Sequence, residues 1–210
     1  MRNITTDVRP MSHPEGDEGW QPMQRCRSYS VVLGGRRARS ALMQEALILV
    51  GTETGTAEYV AGELAAALSA AGLTVRCVDM LQATPALLVA HEQVIVCTST
   101  HGDGDLPLNA ERFYVLLLRE RPRLQHLRFA VCALGDHLYN PYFCQAGKTF
   151  EALLEQLGAT RVLDRFEIDG EPETEYITAA QAWARQVAAA WCAVGAPVAL
   201  RNVGVGVRSD

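Results

Sequence analysis

The stretch Ala46-Leu47-Ile48-Leu49-Val50-Gly51-Thr52-Glu53-Thr54-Gly55-Thr56-Ala57 decides the fold class. Its opening run is continuously apolar, which suits a parallel strand buried on both faces. After Gly51 the composition changes to hydroxyls and glycine. From Ala57 onward Val60, Ala61, Leu64, Ala65 and Leu68 recur at helical spacing, and Gly72 is placed to stop that helix. A buried strand, a tight polar loop and an amphipathic helix in direct succession predict an α/β unit.

The pattern repeats outward. Leu73–Val78, Val94–Cys97, Phe129–Leu134 and Arg161–Phe166 read as further strands. Thr84–Ala90 reads as a short helix. Phe113, Leu116 and Leu117 mark another. Phe150, Leu153, Leu154 and Leu157 form a helix face closed by Gly158. Ala180, Trp183, Ala184, Val187 and Trp191 form the last face. Five strands alternating with helices predict a doubly wound parallel sheet with helices on both faces. In such sheets ligands sit beyond the carboxyl ends of the strands, where strand order reverses. The loops after strands one, three and four are therefore the candidate site.

The first of these loops is Thr52-Glu53-Thr54-Gly55-Thr56-Ala57. It lacks the GxxxxGK[ST] of a nucleotide P-loop, and Lys148 is the only lysine in the chain. The dinucleotide fingerprint GxGxxG is absent as well. Hydroxyls and amides at a helix start can hold a terminal phosphate without a cation. They also suit an ordinary capped βα turn. The second loop, Ser99-Thr100-His101-Gly102-Asp103-Gly104, has two glycines that let backbone approach a flat ligand, with His101 as the side chain over a ring face. A solvated turn is the plain alternative. Asp103 and Asp105 lack the rest of a calcium-loop pattern, so no metal is read here. The third loop holds Leu134, Gly135, Asp136, His137 and Tyr139. Tyr139 is the candidate to stack on a ring, and Tyr142 and Phe143 are expected to pack the start of the next helix.

Charge is unevenly distributed along the 210 residues. Residues 1–42 carry seven arginines and four acids, and residues 43–192 carry ten basic and 19 acidic groups. An acidic body argues against nucleic-acid binding and suits either a basic protein partner or simple solubility. No run approaches the roughly 18 apolar residues of a membrane helix. Six cysteines without a CxxC pair indicate a reducing, cytoplasmic setting. Residues 1–42 read as a disordered leader, with Met43 an alternative start. Residues 43–192 form the domain, and residues 193–210 a flexible tail.

The three loops together resemble those of flavodoxin-like domains, in the right order on the right strands. The resemblance is closest to the FMN module of diflavin reductases, such as the sulfite reductase flavoprotein subunit. Phe143-Cys144-Gln145-Ala146-Gly147-Lys148 and Leu163-Asp164-Arg165 carry it further, and it covers residues 45–192. It implies the strand order 2-1-3-4-5, FMN as cofactor, and a cofactor-binding set drawn from the three loops that also includes Phe143 and Cys144. Small flavodoxins have Thr where Ala57 stands, and the diflavin branch often has Ala. An aromatic often stands where this chain has His101. Only 18 residues follow Cys192, too few for an FAD or NADPH module. The resemblance thus implies a carrier that takes electrons from a separate NAD(P)H-dependent flavoprotein reductase and passes them singly to an acceptor protein. Two other readings remain: an FMN-dependent NAD(P)H:quinone reductase, and a flavin-free interaction domain.

Overall fold

In a computed structural model of the chain, residues 45–170 and 174–195 are described. The expected leader over residues 1–42, most of the expected tail, and Glu171 to Glu173 lie outside them.

The chain folds in the order β1 (Glu45–Gly51), α1 (Thr56–Ala70), β2 (Thr74–Asp79), α2 (Pro85–Val89), β3 (Gln93–Ser99), α3 (Leu108–Glu120), β4 (Arg128–Gly135), α4 (Gln145–Gln156), β5 (Thr160–Arg161), β6 (Phe166–Asp169) and α5 (Thr174–Gly195). Short 3₁₀ turns follow β2 at Met80–Gln82 and β4 at His137–Tyr139. The strands are parallel and ordered β2-β1-β3-β4-β5, with β6 also paired to β4.

Alternation along each strand divides the core into two layers. Ala46, Ile48 and Val50 of β1 face a cluster shared with Val60 and Leu64 of α1 and Trp183 and Val187 of α5. Leu47 and Leu49 face the opposite cluster, with Phe113 and Leu117 of α3 and Phe150 and Leu153 of α4. Both faces of the sheet are therefore covered. That is why β1, β3 and β4 read as unbroken apolar runs rather than alternating ones.

The fifth strand differs from expectation. Arg161–Phe166 is not one strand. Thr160–Arg161 pairs with Arg128–Phe129, and Phe166–Asp169 pairs with Cys132–Gly135. Val162 still donates its N–H to the Phe129 carbonyl at 2.9 Å, and Asp164 and Arg165 have other partners. The Asp164 carbonyl accepts a hydrogen bond from Trp183 Nε1 at 3.1 Å. Arg165 donates to Glu151 on α4 and to Glu167, each at 2.9 Å. These bonds hold Asp164 and Arg165 between the two paired segments, and both pieces still occupy the fifth position beside β4.

Strand register places the site. Gly51 lies opposite Thr98, and Ser99 opposite Leu134. The loops after β1, β3 and β4 therefore begin at one level. β1 and β3 are neighbours from which the chain winds outward in opposite directions, and the crevice opens at that reversal.

Candidate cofactor site

A cavity of about 250 Å³ opens at the carboxyl ends of β1, β3 and β4. The first loop lines it with Glu53, Thr54 and Thr56. The second contributes Ser99, Thr100, His101 and Gly102. Leu134, Gly135, Asp136 and Tyr139 come from the third, joined by Tyr142 and by Gly170 at the end of β6.

The first loop is built to leave a helix terminus open. Gly55 precedes α1 with φ of 90°, a left-handed conformation that a side chain would strain, and it gives α1 no side-chain cap. Its own N–H is held by Thr52 Oγ1 at 3.0 Å. Thr54 and Thr56 hydroxyls lie 3.1 Å apart at the mouth of the helix. The neighbouring helices are treated differently. α3 follows Pro107, which provides no cap, and the N–H of Leu108 is taken by Glu53 Oε2 at 3.0 Å. In α4 the N–H of Ala146 is taken by Thr100 Oγ1 at 3.2 Å. The site's own loops thus cap α3 and α4, while α1 begins without a side-chain cap and with Thr56 on the cavity wall.

That geometry sets the local electrostatics. Among the described residues, no lysine or arginine lines the cavity. The Glu53 carboxylate is engaged by the start of α3. Glu58, in the first turn of α1, has its carboxyl raised above the ordinary value by burial and then by the Asp79 charge.

The second loop closes on itself. His101 and Asp105 exchange backbone hydrogen bonds of 3.0 and 2.8 Å around Gly102 and Gly104. A Cβ at Gly104 would meet Tyr142 Cδ1 at 2.9 Å, so glycine there is what admits the tyrosine ring. In the third loop Asp136 Oδ1 caps the 3₁₀ turn through the N–H of Leu138 at 2.7 Å. His137 binds Asp169 twice, through its backbone N–H and through Nδ1, both at 2.8 Å. The His137 ring also stacks on Phe143 with centroids 3.9 Å apart. The backbone bond from His137, followed by its side chain and charge, holds the Asp169 carboxyl below the ordinary range.

Several expected residues stand behind the wall rather than on it. Thr52 and Gly55 shape the first loop, and Ala57 is fully buried. Asp103 and Gly104 form the turn beside His101. Phe143 packs between His137 and Lys148, whose Nζ donates to the Phe143 carbonyl at 2.7 Å. Cys144 is buried, with its Sγ donating to the Ala133 carbonyl at 3.4 Å. Burial, with Glu167 nearby, pushes its thiol up to about 12. Tyr142 was expected to pack the helix start alone; it also lines the cavity and is 41% exposed. Sequence reading missed Gly170 and Asn109. Gly170 follows an ordinary-looking strand end. Asn109 sits on α3, and nothing in its neighbours shows that it reaches back to Thr52.

The doubly wound sheet thus carries an uncapped helix terminus, hydroxyls and aromatics at its switch point, the features of a nucleotide-binding α/β domain. Residues 48–183 match the Flavodoxin family, and the chain belongs to that family. It is 36% identical over 143 residues to the sulfite reductase [NADPH] flavoprotein alpha-component of Neisseria meningitidis serogroup B, covering 68% of this chain and 23% of that one. It is 39% identical over 130 residues to NADPH oxidoreductase A of Dictyostelium discoideum, covering 61% and 20%. The chain thus spans less than a quarter of the length of these relatives. Among solved structures, a point mutant of Pseudomonas aeruginosa flavodoxin superposes with TM-score 0.63 at 34% identity, covering 70% of this chain and 97% of that one. The Streptococcus pneumoniae flavodoxin superposes with TM-score 0.64 at 28% identity, covering 69% and 98%.

FMN is the cofactor of this family, and the residues present fit it. The uncapped α1 terminus suits a phosphate. Tyr139 and Tyr142 offer flat surfaces, and Gly102, Gly135 and Gly170 leave backbone accessible at the cavity edge.

Proposed function

We propose that this domain carries electrons one at a time, taking them from an NAD(P)H-dependent flavoprotein reductase and passing them to an acceptor protein. FMN supplies the redox chemistry when bound; the protein binds, orients and shields it. The backbone N–H groups of Thr56, Ala57 and Glu58 would hold the phosphate, joined by the hydroxyls of Thr54 and Thr56. Thr52 and Gly55 would fix the loop that aims them. Ser99, Thr100, His101 and Gly102 would border the ring on one side, and Leu134, Gly135 and Asp136 on the other. Tyr139 would cover a ring face and keep water from it, with Tyr142 closing the edge.

The observation that carries this reading is the α1 terminus, left without a side-chain cap and opening onto a cavity that, among the described residues, no lysine or arginine lines. A phosphate there would gain several charge-assisted hydrogen bonds. The test is a fluorescence titration of apoprotein with FMN and with riboflavin, followed by anaerobic reduction. FMN should quench at one equivalent and bind about a hundredfold more tightly than riboflavin. NADPH should bleach the bound flavin only after a flavoprotein reductase is added. Absence of quenching would reject the site. Bleaching by NADPH alone, at an unchanged rate, would reject the carrier role and favour a quinone-reductase type of enzyme.

A further inference from the structure

We propose that Asn109 is a positioning residue for phosphate recognition, acting through the first loop without touching the ligand. This rests on the phosphate site proposed above. Asn109 is the second residue of α3, and its single carboxamide joins three elements. Its Oδ1 accepts the N–H of Thr52 at 2.9 Å. Its Nδ2 donates to the Val50 carbonyl at the end of β1, at 3.3 Å, and to Asp79 Oδ1 at the end of β2, at 3.0 Å. Asp79 Oδ1 in turn accepts the N–H of Leu81 at 2.8 Å, so the carboxylate is itself fixed.

The consequence follows link by link. Asn109 holds Thr52. Thr52 Oγ1 holds the N–H of Gly55 at 3.0 Å. Gly55, in its left-handed conformation, sets the direction in which α1 begins. The amides at the start of α1 are thus aimed by a side chain from a different helix, 57 residues along the chain from Thr52. A half-buried carboxamide that uses both ends of its dipole is costly to replace by an apolar group, because Thr52 N–H and the Val50 carbonyl would each lose a partner. Without that anchor the loop can turn its amides away from the cavity while the sheet and the ring-binding loops stay in place. Asn109 then controls affinity for the phosphate rather than for the ring.

The experiment compares FMN and riboflavin dissociation constants for the wild-type chain and for Asn109→Ala. Circular dichroism and thermal melting are recorded alongside. Asn109→Ser is the second variant; it keeps a polar group at the helix start but cannot span the gap. The expected result is FMN affinity weakened about tenfold with riboflavin affinity within about twofold of wild type. The amides of Thr56 to Glu58 should also lose their nuclear magnetic resonance response to inorganic phosphate. An unchanged FMN-to-riboflavin ratio in a folded variant overturns the proposal. Loss of folding in both variants also overturns it, since Asn109 would then serve the whole domain. If wild-type protein shows no preference for FMN, it is the phosphate site itself that fails.

Discussion

Asp169 accepts two hydrogen bonds from one residue, His137, and that contact ties the end of β6 to the loop that carries Tyr139. Because its carboxyl is held below the ordinary aspartate value of 3.8, the contact stabilises the folded state above that value. The stabilisation is lost as pH falls below it, through the lower folded-state value. Thermal melting of wild type and Asp169→Asn should therefore diverge at neutral pH and converge below about pH 4. Curves that stay parallel through the acid range would show that the carboxylate contributes nothing. The pair also marks the limit of reading single residues. Hydroxyls, glycines and Tyr139 announce themselves by their density in short loops. Asp169 and Asn109 do not, because their partners lie 32 and 57 residues away and only the folded chain brings them together.

At the scale of elements, α4 approaches the sheet closely at Gly147. A Cβ there would fall 2.4 Å from the Ala133 Cβ and 3.3 Å from Val131 Cγ1. Gly147→Ala would force α4 off β4, and overpacking of this kind costs about 2 kcal/mol. Urea unfolding should show the loss as a lower midpoint with unchanged slope; an equal or higher midpoint would mean that the helix shifts freely. Elements buried on both sides were legible because continuous apolar runs leave little choice of structure, and β1, β3 and β4 fall within a residue or two of expectation. The fifth strand was not. Val162, Leu163 and Phe166 look like one strand, yet between them Asp164 and Arg165 bond to Trp183, Glu151 and Glu167 instead of β4. Competition of that kind depends on α4 and α5 being already in place.

At the scale of the molecule, charge and topology act together. Residues 43–192 hold 19 acidic and ten basic groups, and Glu53 and Asp136 stand on the cavity wall itself. If the proposed donor docks through a basic surface, association is steered electrostatically, and electron delivery should slow several-fold as salt rises from about 20 to 300 mM. Stopped-flow reduction across that range measures it, and a flat or rising profile would argue against a basic partner. Topology was readable from the order of strands and helices. The cavity's depth was not, because it depends on which loops cap which helices.

The interrupted fifth strand has one more effect. A sheet margin is a template on which a stranger's backbone can assemble, and a long straight one invites fibrils. Here that margin consists of a two-residue and a four-residue piece, with Arg165 between them paired to Glu151 and Glu167. An incoming strand would meet two short pieces rather than one long row of donors and acceptors, which is how short edge strands discourage edge-to-edge pairing.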